Sequence, residues 1–214
     1  MPCEHKFIHD LNLTGLDYAP TTLIVGTFNP SWPNENQAEW FYGRTGNNYF
    51  WDVLPRLYNP ELNLRNEGVD EWKEFCLNNS IAITDILSSI VDADENNPLH
   101  AEILGNYQDT AIANSFHEFT FTDIVDILRR FRSIRNVYLT RQPGIQLFDD
   151  QWNNIQEYQM NVDPDLHISN LLTPSGSARF QIGPYRLEHP NDPTPLRNFI
   201  FQSWQNQWHN QPNP

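Results

Sequence analysis

Four short apolar runs, each closed by a turn signal and separated from the next by helically spaced residues, constrain this chain more than any other feature. They are 21–28, 81–87, 136–140 and 166–172, rich in Ile, Leu, Val and Thr. Runs of that length and branching read as buried strands, and a Pro or Gly follows closely where a strand must stop. Between them, residues 50–57 read as a short helix disturbed by Pro55. Residues 69–78 place Trp72, Phe75 and Cys76 on one helical face, and 123–132 do the same for Ile124, Ile127, Leu128 and Phe131, with Thr122 as the N-cap. A further helix is expected after Pro143-Gly144 through Met160, and an aromatic-studded one over 195–208. Buried strands alternating with helices predict a three-layer α/β/α sandwich around a central, mainly parallel sheet of about four strands. The 214 residues suit a single domain, with 210–214 expected to fray.

That fold class says where chemistry would sit. Parallel strands deliver the loops at their carboxyl ends to one edge, and ligands bind beyond that edge. Here those ends carry Asn29-Pro30, Asp85, Arg141 and the loop 173–179. Composition narrows the partners. A formal net charge of −14 argues against a general polyanion binder, so any nucleic-acid contact must rest on a local patch. Arg44, Arg141, Arg179 and Arg186 fall in or near the relevant loops, whereas Asp92, Asp94 and Glu95 add negative charge after the second strand. The cluster Arg129, Arg130, Arg132 and Arg135 belongs to a helix C-terminus, at the opposite end of the sheet. Cys3 and Cys76 are too few for a disulfide framework or a zinc site, and read as one surface and one core thiol. The opening residues lack the order of a signal peptide and no apolar run approaches membrane-spanning length, which predicts a soluble cytoplasmic protein.

Two of the loops carry motifs. The first strand runs Thr22-Leu23-Ile24-Val25-Gly26 into Thr27-Phe28-Asn29-Pro30-Ser31, and the fourth ends in Thr173-Pro174-Ser175-Gly176-Ser177-Ala178-Arg179. As an ordered pair they resemble the two signature motifs of the uracil-DNA glycosylase superfamily, nearest its mismatch-specific uracil/thymine and hypoxanthine-processing branches. In those branches the first motif reads roughly G-I-N-P-G and the second M-P-S-S-S-A-R or N-P-S-G-L-S-R. An N-x-F-W string follows the first motif in the same branches, and Asn48, Phe50 and Trp51 match it. This chain has two residues between Gly26 and Asn29 where the family motif has one, so Asn29 and Asn48 both stand as candidates for the catalytic, water-positioning Asn.

The resemblance implies a metal-independent, cofactor-free monofunctional DNA glycosylase that hydrolyses the N-glycosidic bond of a deaminated or mismatched base flipped out of DNA. It assigns Phe28, Phe50, Asp85 and Thr173 to the base pocket. Ser175, Gly176, Ser177 and Arg179, with Arg44, fall to DNA binding, the second loop entering the duplex where a base has left. Thr173 stands where the uracil-specific members place a His, and their acidic water-activating residue has no counterpart in the first loop. A carboxamide positions water but is a poor base, so such a site depends on electrostatic preorganisation and favours bases that leave easily. An ionised Asp85 can only accept hydrogen bonds, which points away from strict uracil specificity. The seven His are scattered and suggest no metal site. Two other readings fit the same motifs: a catalytically degenerate binding member of this fold, and a hydrolase of small nucleoside-like substrates.

Overall fold

Alternation of side chains across the strands decides how this chain is layered. In the computed structural model, which describes residues 1–33 and 38–209, β2 (Thr22–Gly26), β3 (Ile81–Asp85), β6 (Asn136–Leu139) and β7 (His167–Asn170) form one parallel sheet in the order β3-β2-β6-β7. Successive residues of a strand point to opposite faces. Leu23, Val25, Val137 and Leu139 enter one core, while Ile24, Ile81, Ile83 and Tyr138 enter the other. The first core is closed by α5 (Ile124–Arg130) and α6 (Gln146–Val162), the second by α1 (Phe50–Arg56), α2 (Val69–Asn78) and α8 (Pro195–Gln205). The result is the three-layer α/β/α sandwich that the sequence predicts.

The second core is aromatic. Trp51 stacks between Trp40 and Trp72, with ring centroids 5.9 and 5.1 Å away, and Phe50 lies edge-on to Trp204. Asp52, buried at the start of α1, accepts from Arg56, Asn63 and Arg197, which ties α1 to α8.

Several elements go beyond the sequence reading. The run 81–87 is not one strand: it breaks after Asp85, and Leu87 opens β4 (Leu87–Ile90). That strand pairs antiparallel with β1 (Cys3–Glu4) and β5 (Phe119–Phe121) in a second, small sheet. Strands of two and three residues leave no alternation to detect. Cys3 is consequently a buried thiol of this sheet, not the surface thiol expected. Short helices α3 (Pro98–Asn106), α4 (Asp109–Ser115) and α7 (Gly183–Glu188) were likewise not anticipated. The N-cap of α5 is Asp123, whose carboxylate accepts from the Asp126 amide at 2.8 Å, and not Thr122. The expected frayed tail, 210–214, lies outside the described residues. Among the described residues no helix is long and apolar enough to cross a membrane.

The topology fixes the position of the site. From β2 the chain crosses to β3 on one side, whereas β6 leads to β7 on the other. The crevice between β2 and β6 is therefore the point where connections diverge, which is where open parallel sheets bind ligands.

Candidate active site

A cleft of about 760 Å³ opens at that crevice. Its walls come from the loop after β2 (Thr27, Phe28, Asn29), the end of β3 (Asp85), the loop after β6 (Thr140, Arg141) and the loop after β7 (173–177). Asn29, Asn48, Asp85 and Ser175, far apart in sequence, all line it.

The floor is built around one carboxylate. Asp85 is buried, and its Oδ2 accepts two hydrogen bonds of 2.7 Å, one from Asn29 Nδ2 and one from His5 Nε2. His5 is itself buried, and its Nδ1 accepts from the Phe7 amide at 2.9 Å. An imidazole nitrogen that accepts from an N–H carries no proton, so the ring hydrogen sits on Nε2 and is donated to Asp85. Both lone pairs of Oδ2 are thereby committed. Oδ1 faces the other way: a Cβ on Gly26 would fall 2.2 Å from it and 2.7 Å from the Tyr42 hydroxyl. Only glycine lets the end of β2 pass that close, which gives a steric reason for the Gly of the first motif.

Tyr42 stacks flat on Phe50, with centroids 3.8 Å apart and planes 3° from parallel, and so covers the ring that the sequence reading assigned to the base. Its hydroxyl is 2.7 Å from Thr140 Oγ1, which in turn donates to the Val25 carbonyl at 3.3 Å. Thr140 has one proton to give, so Tyr42 is the donor of that pair and its oxygen remains an acceptor toward the cleft. Burial, with the neighbouring Asp85 charge, pushes the Tyr42 phenol well above its ordinary range and keeps it protonated.

Asn48 serves the loop that carries it. Its Oδ1 accepts from the Phe50 amide at 2.9 Å, a side-chain turn that starts α1. The same loop is zipped to the second motif by backbone bonds, Tyr49 N to Pro174 O at 2.7 Å and Gly176 N to Asn47 O at 2.8 Å. The N-x-F-W string and the Pro-Ser-Gly loop are thus one wall. Thr173 Oγ1 and Ser175 Oγ lie 3.0 Å apart within it, and the Ser175 hydroxyl accepts from the Ser177 amide at 3.3 Å. Beyond them a 3-10 turn over 176–180 carries Arg179 and Phe180 outward at the rim. Phe180 is 79% exposed, and Arg179 lies over its ring at 5.0 Å.

The opposite wall holds residues that sequence reasoning missed. Asp109, at the start of α4, accepts from Thr27 Oγ1 at 2.8 Å and from Arg141 Nη1 at 3.3 Å. Burial raises its carboxyl above the usual range, and the nearby Asp85 charge adds to this, while Arg141 and Thr27 pull it down. Arg44 lies 3.6 Å over the Tyr107 ring, and burial takes the Tyr107 phenol up to about 12. Neither His5 nor Asp109 carries a local signal: each acts on a loop some 80 residues away in the chain. Asp92, Asp94 and Glu95 are not among the cleft-lining residues, and Arg130, Arg132 and Arg135 bond to Asp126, Tyr158 and Asp163 instead.

No family model matches this sequence, and no curated protein matches it. The fold does match a solved one. The solution NMR structure of a putative uracil DNA glycosylase from Methanosarcina acetivorans superposes with a TM-score of 0.51 at 14% identity, covering 87% of this chain and 92% of that one. At that identity the likeness establishes a shared fold.

Proposed function

We propose that this protein is a DNA glycosylase that removes a deaminated or mismatched base by hydrolysing its N-glycosidic bond, without a metal or other cofactor and without cutting the strand. The observation that carries this reading is the convergence of both motif loops, the second backbone-zipped to the N-x-F-W loop, on a cleft floored by the Asn29–Asp85–His5 chain. The shared fold of a protein bearing the glycosylase name supports it.

In this reading the everted base enters toward Asp85. Its Oδ2 is saturated by Asn29 and His5, so the base meets Oδ1 and the Tyr42 oxygen, both acceptors. Such a floor rewards a base edge rich in N–H donors and repels bare carbonyls. Asn29, held by Asp85, orients water or substrate. Phe28 and Tyr42 provide the apolar wall, with Phe50 buried behind Tyr42, and the hydroxyls of Thr173, Ser175 and Ser177 face the phosphates, the Gly176 amide being spent on the Asn47 carbonyl. Arg179 and Arg44 add the positive charge that a chain of net −14 needs locally. Phe180, exposed beside Arg179, is the better shape for filling the gap that a flipped base leaves, since an apolar ring stacks between bases.

The test is incubation of purified protein with duplexes carrying single uracil, mismatched thymine, hypoxanthine or xanthine, followed by alkali. Strand cutting after alkali, with any of them, is the expected result. Cleavage of free nucleosides alone would move the assignment to a nucleoside hydrolase, and DNA binding with no cleavage to a degenerate binding domain.

A further inference from the structure

The first motif supplies no carboxylate, yet among the described residues the cleft contains two. Asp85 has one oxygen committed to two donors and is turned into the floor. Asp109 is different. It is held from two sides, by the first loop through Thr27 and by the loop after β6 through Arg141, and its side chain is still 29% exposed to the cleft. Arg141 is in turn fixed: it is nearly buried, lies 4.7 Å over the Phe148 ring, and its carbonyl accepts from Asn170 Nδ2 at 3.0 Å. A carboxylate gripped this firmly cannot swing out to solvent, and each oxygen, taking one donor from the protein, keeps a lone pair.

We infer that Asp109 is the general base of the reaction. The inference rests on the glycosylase reading above. A water bound between Asp109 and the sugar gives its proton to an Asp109 oxygen as its own oxygen bonds to C1′. The C1′–N bond breaks and its electron pair leaves with the base, which takes a proton from solvent. Asn29 cannot do this, because an amide has no useful proton affinity and its Nδ2 is spent on Asp85. The Asn48 carbonyl is committed to the Phe50 amide. The charged and titratable groups around Asp109 are Arg141 on the β6 side, Asp85 at the end of β3, Tyr42 from the loop before α1, and Arg44 lying on Tyr107 beside α4. Burial and the Asp85 charge raise its proton affinity above that of a free carboxylate, in the direction that makes a better base.

The experiment is single-turnover excision, across pH, on whichever base the wild type removes. Asp109→Asn should lower the rate by roughly 10²- to 10⁴-fold, the range of a lost general base. It should also abolish the acidic limb of the wild-type profile, while binding to a duplex with a 2′-fluoro, uncleavable nucleotide stays within a few-fold. Thr27→Val removes a donor from the ionised form, so it should move the limb to higher pH. That second variant serves if Asp109→Asn does not fold. A purely structural ion pair predicts loss of protein or of binding with the limb in place. Full activity in Asp109→Asn, or a limb unmoved by Thr27→Val, overturns the assignment while leaving the glycosylase reading intact. A wild type that excises no base overturns both.

Discussion

Replacing Gly26 with Ala tests the floor of the cleft with a single methyl group. The new Cβ would lie 2.2 Å from Asp85 Oδ1 and 2.7 Å from the Tyr42 oxygen, and each must retreat to an ordinary contact. Neither is the loose end of a flexible side chain. Asp85 is pinned by two hydrogen bonds of 2.7 Å, and Tyr42 is stacked on Phe50 and bonded to Thr140. Moving Asp85 by about 1 Å weakens two bonds to a buried charge, each worth about 1.5–3 kcal/mol, on top of an overpacking cost of about 1–3 kcal/mol. Partial relaxation leaves a net loss of about 3 kcal/mol, which lowers Tm by about 6–12 °C for a domain of this size. Thermal unfolding by circular dichroism measures it. Asp85→Ala removes the blocking oxygen, so adding Gly26→Ala to that variant should cost at least 1 kcal/mol less than in the wild type. An unchanged Tm for Gly26→Ala, or strict additivity of the two substitutions, would refute the packed floor described above.

Asn29→Ala should remove most single-turnover excision, whereas Asn48→Ala should mainly cost about 1 kcal/mol of stability through the lost turn to the Phe50 amide; equal activity loss in both would reverse the assignment. Phe180→Ala should reduce excision from duplex far more than from single strands with stability unchanged within about 0.5 kcal/mol, and Arg179→Ala should flatten the salt dependence of binding; equal loss on both substrates for Phe180→Ala would leave that ring without a wedge role. Asp109 binds its proton more tightly folded than unfolded, so the native state holds more protons between the ordinary value of 3.8 and its raised one, and stability falls as pH rises through that window. Asp109→Asn should flatten that slope in denaturant titrations, and an unchanged slope would contradict the burial argument.

How much of this was legible in the sequence follows from the range of the interactions involved. The β2 and β6 strands announce themselves locally, because two buried faces demand a continuous apolar run, whereas the edge strand β7, half-buried along its length, is marked by the buried Leu166, Leu171 and Leu172 beside it. Helices α2, α6 and α8 do the same through spacing. The loops Asn29-Pro30 and 173–179 were legible as chemistry because a parallel sheet must bring them to one edge. The small sheet was not, since β1 and β5 are too short for a pattern and β4 begins where β3 looks unfinished. His5 and Asp109 were hidden for a related reason. Each contributes to the site only through a side chain that the fold carries across the molecule, and an isolated His or Asp in a polar stretch reads as a solvated residue. Tyr42 was hidden by its neighbours, one ring among many in an aromatic segment.

The central claim meets its most direct test in the products. Wild-type protein is incubated under single-turnover conditions with the four modified duplexes, and the reaction is analysed by mass spectrometry without alkali. The expected result is a free base together with an intact strand, lighter by that base less one water and bearing an abasic site, from at least one duplex, and loss of both products in Asn29→Ala. Four unaltered duplexes, or a strand already broken at the site, would contradict it.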